Sequence, residues 1–525
     1  MDASASAGTT QSCLPIPAGV RQTIAQRVGR LPAACTRLLE VASVCGREFD
    51  VTELAAVSGQ GAEEILQLLQ PAMTAGIVRS DDSAVGRFQF AHALICDTVY
   101  TTIPGLDRLR IHRDVARALV ALHEHADALP LARIAHHFYA ALPVGDIGPA
   151  VDYALRAAAA ATRIYAYEAA VEQYDRAIQL LSPATVGADE KIARAYLLKG
   201  YALKQLGLVS SSIEVLLEGT QRIRALGSAE LLIDVLMLLG GSSEHVPQRH
   251  VVPLISHALS LLPAGDSPAR AKATAVLALA RRSGGEADEL DAGVDEALSI
   301  ARRCCDPADA CACFESCMIA LRGRPQTLQR RLAISREHVE VARSSTSDAL
   351  LAEAYHWQAL NLLEAGAIDE LEHLLSRYAS QSPARFGLHQ YRLTSYGITV
   401  AMLRGEFAGI EERIEQLREL GTRTRREDAD GVCGAQMFAV QRELGRLDEQ
   451  RDEVTRILRT VTLRKWDPGL ALMCAEVGLL DETREVFERL ASNGFAGLAH
   501  DDMYPTCLAY CAETCVALRD RERAA

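Results

Sequence analysis

The spacing of apolar residues at the start of the chain predicts short helices. Val20, Ile24 and Val28 recur at helical spacing, and a second run of the same kind covers residues 38–45. Pro32 stands between the two runs, and proline interrupts a helix because it lacks the amide proton. Two helices separated at Pro32 are therefore expected, after a small, polar segment at residues 1–19 that is predicted to be a flexible tail.

The hydrophobic period changes in the next fifty residues. Residues 50–58 and 61–74 predict two more short helices. Residues 77–79 and 87–91 then form two short extended runs around a polar turn, which predicts a β-hairpin. Helices followed by a hairpin give the outline of a winged helix, so a winged-helix-like domain is expected over residues 20–125.

From about residue 131 the chain contains almost nothing except predicted helix pairs. Residues 150–183 fit one 34-residue tetratricopeptide unit, in which small, aromatic and proline positions recur in a fixed order. The matching residues are Ala158, Ala170, Tyr174, Ala177 and Pro183.

Weaker copies of this unit follow, each with a glycine in the turn between its two helices. These glycines are Gly207, Gly366, Gly405, Gly445 and Gly478, and the last four are 39, 40 and 33 residues apart. Between about 240 and 345 the register is hard to follow, and glycine pairs at 240–241 and 284–285 predict irregular loops. The predicted fold class is all-α, with the N-terminal winged-helix-like domain followed by a tetratricopeptide-like (TPR-like) α-solenoid over residues 130–525.

Composition and charge narrow the classes of function. Hydrophobic residues make up 49% of the chain but aromatic residues only 5%, which suits closely packed helix pairs. The formal net charge of -13 repels phosphate backbones and anionic lipids. With neither a membrane-length apolar run nor a signal-peptide pattern, a cytoplasmic protein with reduced cysteines is expected, with no direct nucleic acid and no membrane among its partners.

Two cysteine groups suggest metal chemistry at first sight, because thiolates are zinc ligands. Neither group contains paired Cys-x-x-Cys knuckles, and buried packing against neighbouring helices explains both as well. The first group is Cys304, Cys305, Cys311, Cys313 and Cys317, and the second is Cys507, Cys511 and Cys515 at i, i+4 and i+8.

Histidines concentrate between residues 90 and 140, where neutral imidazoles can act as bases or metal ligands. No catalytic motif or carboxylate pair accompanies them, and no phosphate-binding loop occurs in the chain. We therefore predict a protein that is not an enzyme, with no cofactor and no assigned catalytic, cofactor-binding or metal-binding residue. The histidines are His92, His112, His123, His125, His136 and His137.

A winged helix invites a DNA-binding hypothesis, because its third helix can enter the major groove. The candidate helix at 61–74 carries Glu63 and Glu64 and no basic residue, so phosphate would repel it. An internal structural module is the preferred interpretation.

Four stretches together resemble the middle of the large signal-transducing ATPases of bacteria, a group that includes large ATP-binding LuxR-type transcriptional regulators and cyclase-linked relatives. They read IPAGVRQTIAQRVGRLP, LLEVASVCGREFDVTELAAVSG, FQFAHALICDTVYTTIPGLDRLRIHRDVARAL and LARIAHHFYAALPVGDIGPAVDYALRAAAAATRIYAYEAAVEQYDRAIQLL. The resemblance implies a winged helix and a TPR-like array that receives an inducer or a partner. The family's preceding ATPase and its C-terminal helix-turn-helix have no counterpart in this sequence, so neither activity is carried over.

Three functions from different classes follow from these patterns. The first is a regulatory scaffold in bacterial signal transduction or transcription control, which binds a protein partner or a small-molecule inducer, with an ATPase module supplied in trans. The second is a DNA-binding regulator, and the third is an enzyme with a site hidden in the solenoid. Tyr196, Tyr355 and Tyr396 lie on predicted first helices as candidate groove residues, with buried packing as the alternative.

Overall fold

The structure is a computed structural model of the 525-residue chain. It describes residues 18–81, 84–123, 129–142, 144–181, 188–240, 248–282, 287–345, 347–381, 387–424, 426, 429–460, 467–495, 498 and 503–524. The predicted tail at 1–19 lies outside the described residues except for its last two positions. The chain forms two compact units, Met1–Ser182 (unit 1) and Pro183–Ala525 (unit 2).

Unit 1 contains nine α-helices and three short strands among its described residues. The elements are α1 Ala18–Val28, α2 Ala33–Cys45, β1 Glu48–Asp50, α3 Val51–Ser58, α4 Ala62–Thr74, β2 Val78–Ser80, β3 Arg87–Phe90, α5 Ala93–Thr102, α6 Gly105–Leu122, α7 Leu131–Ala140, α8 Ile147–Arg163 and α9 Tyr167–Leu180.

The predicted β-hairpin is confirmed, and it belongs to a larger sheet. Strands β2 and β3 pair antiparallel, with Val78 opposite Phe90. Strand β1 also pairs antiparallel with β3, so the sheet order is β1-β3-β2. The sequence prediction missed β1, because three residues are too few for an alternating pattern. Asp50 ends this strand and caps α3, since its side chain accepts a hydrogen bond from the Thr52 amide at 2.8 Å.

Unit 1 has one continuous apolar core. It joins residues of every helix from α1 to α8 with residues of all three strands. Phe49, Phe88 and Phe90 lie at its centre, and the rings of Phe49 and Phe90 meet edge-to-face with centroids 5.5 Å apart. Helices α7 and α8 contribute Ile134, Phe138 and Ala150 to the same core. The proposed domain boundary at 125–130 stays a prediction.

Unit 2 consists of helices with short connections in its described residues. The elements are α10 Ala188–Gln205, α11 Val209–Leu226, α12 Ala229–Gly240, α13 Gln248–Leu261, α14 Pro268–Arg281, α15 Ala287–Cys304, α16 Pro307–Leu321, a 3-10 turn Pro325–Thr327, α17 Leu328–Ser344, α18 Asp348–Glu364, α19 Ile368–Gln381, α20 Gly387–Leu403, α21 Ile410–Arg423, α22 Ala429–Glu443, a 3-10 turn Leu447–Gln450, α23 Arg451–Thr460, α24 Asp467–Glu476, α25 Leu480–Ala491 and α26 Tyr504–Leu518.

The helices pair in sequence, and the predicted turn glycines are confirmed. All five adopt left-handed backbone conformations, with φ between 67° and 79°. At each turn the amide after the glycine donates to the carbonyl five residues earlier, as Ala367 does to Leu362 at 3.0 Å. This is the Schellman end of a helix, which glycine favours because it has no Cβ.

Two details show how the pairs of unit 2 are arranged. From α10 to α18 the first helix of each pair packs on the first helix of the next. The turn after α10 also meets the segment before α22, because a Cβ at Gly207 would lie 3.5 Å from the Cα of Arg426. The array therefore curves back on itself. The region 240–345, whose register the sequence left open, continues the helix pairs, although Gly241, Gly284 and Gly285 lie outside the described residues.

The helical-repeat part of the predicted fold is confirmed, since the described chain is helical apart from one small sheet. Four residues that match the first predicted repeat are buried, namely Ala158, Ala170, Tyr174 and Ala177, while Pro183 lies outside the described residues. Within the described residues, no helix has the length and apolarity needed to cross a membrane.

Candidate functional site: a charged cluster on the first helices

An ion pair joins the first helices of two successive repeats in unit 2. Arg392 on α20 donates a hydrogen bond from Nη1 to Oε1 of Glu353 on α18 at 2.7 Å. The side chains remain 20% and 23% exposed, so both reach solvent. Burial opposes ionisation of Glu353, but Arg392 outweighs it and lowers the pKa of the carboxyl to about 2. The pair is therefore charged at neutral pH.

Two tyrosine–histidine pairs flank this ion pair. The Tyr396 hydroxyl lies 2.7 Å from Nδ1 of His356, and the Tyr378 hydroxyl lies 2.7 Å from Nδ1 of His389. Burial lowers the pKa of His389 to about 4 and that of His356 well below its usual value. Both imidazoles are consequently neutral at pH 7, and they fix the orientation of the aromatic wall beside Glu353 and Arg392.

Further charges extend the cluster to neighbouring first helices. Burial raises the pKa of Glu315 on α16, while Lys204 on α10 acts to lower it. Lys204 thus acts electrostatically on a carboxyl three helix pairs further along the chain. Just after α16, the Arg322 guanidinium lies 5.9 Å from the centroid of the Trp357 ring on α18. We call Lys204, Glu315, Arg322, Glu353, His356, Arg392 and Tyr396 the inner cluster.

The sequence prediction missed the charged members of this cluster, although a signal was present. Glu353 precedes the turn glycine Gly366 by 13 residues, and Arg392 precedes Gly405 by the same 13 residues. They occupy one position of two consecutive repeats, where opposite charges are brought into contact. The helical period alone did not reveal this pairing, because it shows which residues share a face of one helix and not which residues of two repeats are in contact.

The three tyrosines considered as groove residues are buried. The Tyr196 hydroxyl donates to Glu218 at 2.6 Å, and the Tyr355 hydroxyl donates to Gln381 at 2.5 Å. Of the three, Tyr396 belongs to the inner cluster, where its hydroxyl meets His356. Packing therefore accounts for Tyr196 and Tyr355.

The cysteines of the first group lie at the end of α15 and along α16. Cys311, Cys313 and Cys317 are buried, while Cys304 and Cys305 are partly exposed. Burial raises the pKa of Cys311 and of Cys317 to about 12, so these thiols stay protonated at neutral pH. In the second group, Cys511 and Cys515 pack in the apolar core between α25 and α26.

Three of the six histidines noted in the sequence come together in unit 1. Nδ1 of His112 on α6 lies 2.9 Å from Nδ1 of His137 on α7, and His136 lies beside them. One ligand atom from each of the three rings falls within 4.8 Å of the others. His92 instead caps α5 by accepting from the Leu94 amide at 3.2 Å, and His123 bonds the Leu119 carbonyl at 2.9 Å. His125 lies outside the described residues.

Comparisons with known proteins add little to this description. No family model matches the chain, and no curated protein matches it. One similar solved structure is a signal transduction ATPase with numerous domains and a tetratricopeptide repeat sensor, from Pyrococcus horikoshii. It is 12% identical, with a TM-score of 0.43 over 91% of this chain and 67% of that chain. A second is a circular tandem repeat protein with novel repeat topology, which is 14% identical with a TM-score of 0.12 over 96% of this chain and 94% of that chain. Neither TM-score supports an argument about function.

Proposed function

We propose that unit 2 is a non-enzymatic regulatory scaffold that binds a segment of a partner protein along its inner cluster. The observation that carries the proposal is the partly exposed Glu353–Arg392 ion pair, which joins two successive first helices of the array. Helical-repeat arrays present extended concave surfaces of this kind, on which a peptide or a helix contacts several repeats at once.

The charges of the inner cluster favour a partner segment that carries both signs. Glu315 and Glu353 can accept hydrogen bonds from a basic side chain, while Arg392 and Lys204 can bind a carboxylate. Arg392 and Glu353 neutralise each other in the free protein. A bound segment with both a basic and an acidic side chain can replace the partner of each residue, so that no charge is left unpaired in the complex. The aromatic wall formed by Tyr396 and His356 supplies apolar contact beside these charges.

The experiment compares partner recovery by two versions of the tagged full-length chain expressed in the native cell. In the test variant, Glu353→Gln is combined with Arg392→Gln, which removes both charges together so that neither remains buried without its partner. Bound proteins are identified by mass spectrometry, and the affinity of the recovered partner is then measured with purified chains. We expect the test variant to bind at least about tenfold more weakly, because charged interface pairs typically contribute more than 1.4 kcal/mol.

The matched control removes an ion pair of the same type from the second helices. Arg302 on α15 donates to Glu337 on α17 at 2.8 and 2.7 Å, outside the inner cluster. Arg302→Gln combined with Glu337→Gln should leave the affinity unchanged. An equal loss of affinity in both variants, or full binding by the test variant, contradicts the proposal.

We further propose that residues 20–125 form a winged-helix-like domain that relays the state of the array. The succession α2, β1, α3, α4 followed by the β2–β3 hairpin supports this assignment. Helix α4 begins with Glu63 and Glu64, which disfavours entry into a DNA groove. The resemblance noted in the sequence makes an ATPase in trans the partner class to look for first. A gel shift with genomic fragments at low salt and micromolar protein should show no retarded band.

A further inference from the structure

The histidine cluster of unit 1 offers three imidazoles from two helices to one point in space. His112 lies on α6, and the neighbouring His136 and His137 lie on α7. Their candidate ligand atoms fall within 4.8 Å of one another, and the closest two are 2.9 Å apart. Two ligands of a tetrahedral Zn²⁺ ion with bonds of about 2.0–2.1 Å are separated by roughly 3.4 Å. Only small side-chain movements separate the observed arrangement from that geometry.

We propose that His112, His136 and His137 bind one Zn²⁺ ion, with a fourth position open to the adjacent pocket. Three histidines suit Zn²⁺, because the imidazole nitrogen is one of its preferred ligands and three protein ligands leave room for one exchangeable group. The site lies in unit 1 and does not depend on the inner cluster of unit 2.

The hydrogen bond between two of the rings sets a condition on metal binding. The Nδ1 atoms of His112 and His137 are 2.9 Å apart and share one proton. A ligating nitrogen must carry no proton, so binding of the ion requires this proton to move to the other nitrogen of its ring or to leave for solvent.

A tyrosine orients the central ring from behind. The Tyr100 hydroxyl lies 3.0 Å from Nε2 of His112, on the opposite side of the ring from the Nδ1 atom that faces His137. When Nε2 of His112 holds the proton and donates it to the Tyr100 oxygen, Nδ1 presents its lone pair. Second-shell hydrogen bonds of this kind commonly hold metal-ligating histidines in place.

Two of the arginines close to the cluster are paired with acidic groups. Arg133 makes a two-pronged ion pair with Glu53 at 2.8 and 2.9 Å, and Arg176 bonds Glu172 at 2.5 Å. These pairs reduce the repulsion that a cation meets on entering the site. Arg108 keeps its positive charge, because the Tyr100 ring that it faces at 5.1 Å is neutral.

The cluster is also accessible. A pocket of about 290 Å³ opens beside it between the end of α2 and helices α5 to α7, with His112, His136, Tyr100, Cys96 and Asp97 in its lining. His136 is exposed while His112 and His137 are buried. An ion can therefore enter from the His136 side, and its fourth position faces a space large enough for water or a small anion.

The test is a titration of the metal-stripped full-length chain with Co²⁺, followed by displacement with Zn²⁺. Tetrahedral Co²⁺ gives a strong visible absorption that octahedral aqueous Co²⁺ lacks, so the spectrum reports geometry as well as binding. We expect one ion per chain, micromolar or tighter affinity for Zn²⁺, and a raised melting temperature in its presence.

Two variants and one control identify the ligands. His136→Gln removes the exposed ligand, so the fold should remain intact by circular dichroism while the tetrahedral spectrum disappears. Tyr100→Phe should weaken Zn²⁺ binding by about 10–100-fold without abolishing the spectrum. The control His373→Gln changes an exposed histidine on α19 and should alter nothing. Absence of binding at millimolar metal, an octahedral spectrum, or unchanged binding by His136→Gln would each overturn the proposal.

Discussion

In unit 1 a single apolar core connects elements from α1 to α8, whereas unit 2 divides its apolar residues among successive cores. The core around α10 to α14 is followed by one from α14 to α18 and another from α16 to α20. Ion pairs also connect one repeat to the next, as in Arg446–Glu411 and Arg523–Glu488, whose residues are each 35 positions apart in the sequence. Unit 1 should therefore unfold as a whole, while unit 2 should open in parts.

The largest expected loss of stability comes from a cavity in the core of unit 1. Phe90 is fully buried against Phe49, so Phe90→Ala should lower the free energy of unfolding by about 3–5 kcal/mol. Because the core is continuous, hydrogen–deuterium exchange should accelerate from α2 through to α8. Exchange followed by mass spectrometry measures this in each peptide.

The same substitution at Phe487 provides the contrast. Phe487 is also fully buried, but it belongs to the small core between α25 and α26. Faster exchange after Phe487→Ala should be confined to α24 to α26. If the peptides of α10 to α13 accelerate equally, unit 2 is one cooperative body and the comparison between the units fails.

A second large effect concerns the buried arginine of unit 2. The Arg331 side chain is fully buried on α17 and bonds Asn361 at 2.7 Å and Glu364 at 2.8 Å, both on α18. Arg331→Ala should cost about 1–3 kcal/mol, because it leaves the buried Asn361 side chain without its donor, whereas Glu364 is 40% exposed and can return to solvent. Urea denaturation gives the cost, and faster exchange should centre on α17 and α18.

The control for this effect is an exposed arginine on the same helix, α17, whose acidic partner lies on α19. Arg336 and Glu370 are 57% and 63% exposed and lie 3.4 Å apart. Arg336→Ala should change the free energy of unfolding by no more than about 1 kcal/mol, because solvent screens the pair. Equal costs at both positions would mean that burial at Arg331 carries no special penalty.

The parts of this structure that the sequence predicted are local. The helix pairs and their turn glycines follow from periodicity and from one residue type at a fixed place, so Gly366 and Gly405 were identified correctly. Strand β1 escaped notice because its pairing with β3 joins Phe49 to Phe88, which no local pattern encodes. The convergence of His112 and His137 likewise depends on how α6 packs on α7.

The inner cluster shows the same limit in a form that sequence reasoning can partly overcome. Glu353 and Arg392 are distant along the chain, but a repeat places equivalent positions on adjacent helices. Comparing the residues that precede each turn glycine by the same interval would have paired these two charges. The contribution of Lys204 has no such regularity, because Lys204 and Glu315 lie three helix pairs apart in the sequence.

Acid should test the two units in different ways. His112 has a pKa of about 4 in the folded chain, below the value of about 6.5 expected after unfolding. Above pH 6.5 this group hardly changes the free energy of unfolding. As the pH falls from 6.5 towards 4, the free energy of unfolding decreases, because the unfolded chain binds a proton at His112 and the folded chain does not. Unit 1 should lose about 2 kcal/mol from this group between pH 7 and pH 5.

Urea denaturation combined with limited proteolysis at the two pH values measures this loss separately in each unit. His112→Gln should reduce the pH dependence of unit 1, since the amide cannot be protonated in this range. In unit 2, burial lowers the pKa of His338 on α17 and of His389 on α20 to about 4, so acid should destabilise the region from α17 to α20 in the same way. A pH dependence of unit 1 that survives His112→Gln unchanged would assign the effect to other groups.

The smallest effect concerns the turn where the repeat pattern lacks its glycine. Tyr165, between α8 and α9, adopts a φ of 62°, and the next amide donates to the carbonyl five residues back, as at the glycine turns of unit 2. A side chain in this left-handed region costs about 1–2 kcal/mol. Tyr165→Gly should therefore raise the urea midpoint of unit 1 by an amount equivalent to about 1 kcal/mol or less, because glycine also gains freedom in the unfolded chain.

The reverse substitution isolates the backbone contribution. A Cβ at Gly366 would meet no atom within 4 Å, so Gly366→Ala introduces backbone strain without a clash. It should destabilise unit 2 by about 1 kcal/mol. If Tyr165→Gly instead lowers stability while Gly366→Ala behaves as expected, then the ring contact of Tyr165 with Tyr167, at 6.2 Å between centroids, outweighs the strain. In that event the turn of the first repeat is stabilised by the contact between the two tyrosine rings, whereas the turns of unit 2 depend on glycine in the left-handed conformation.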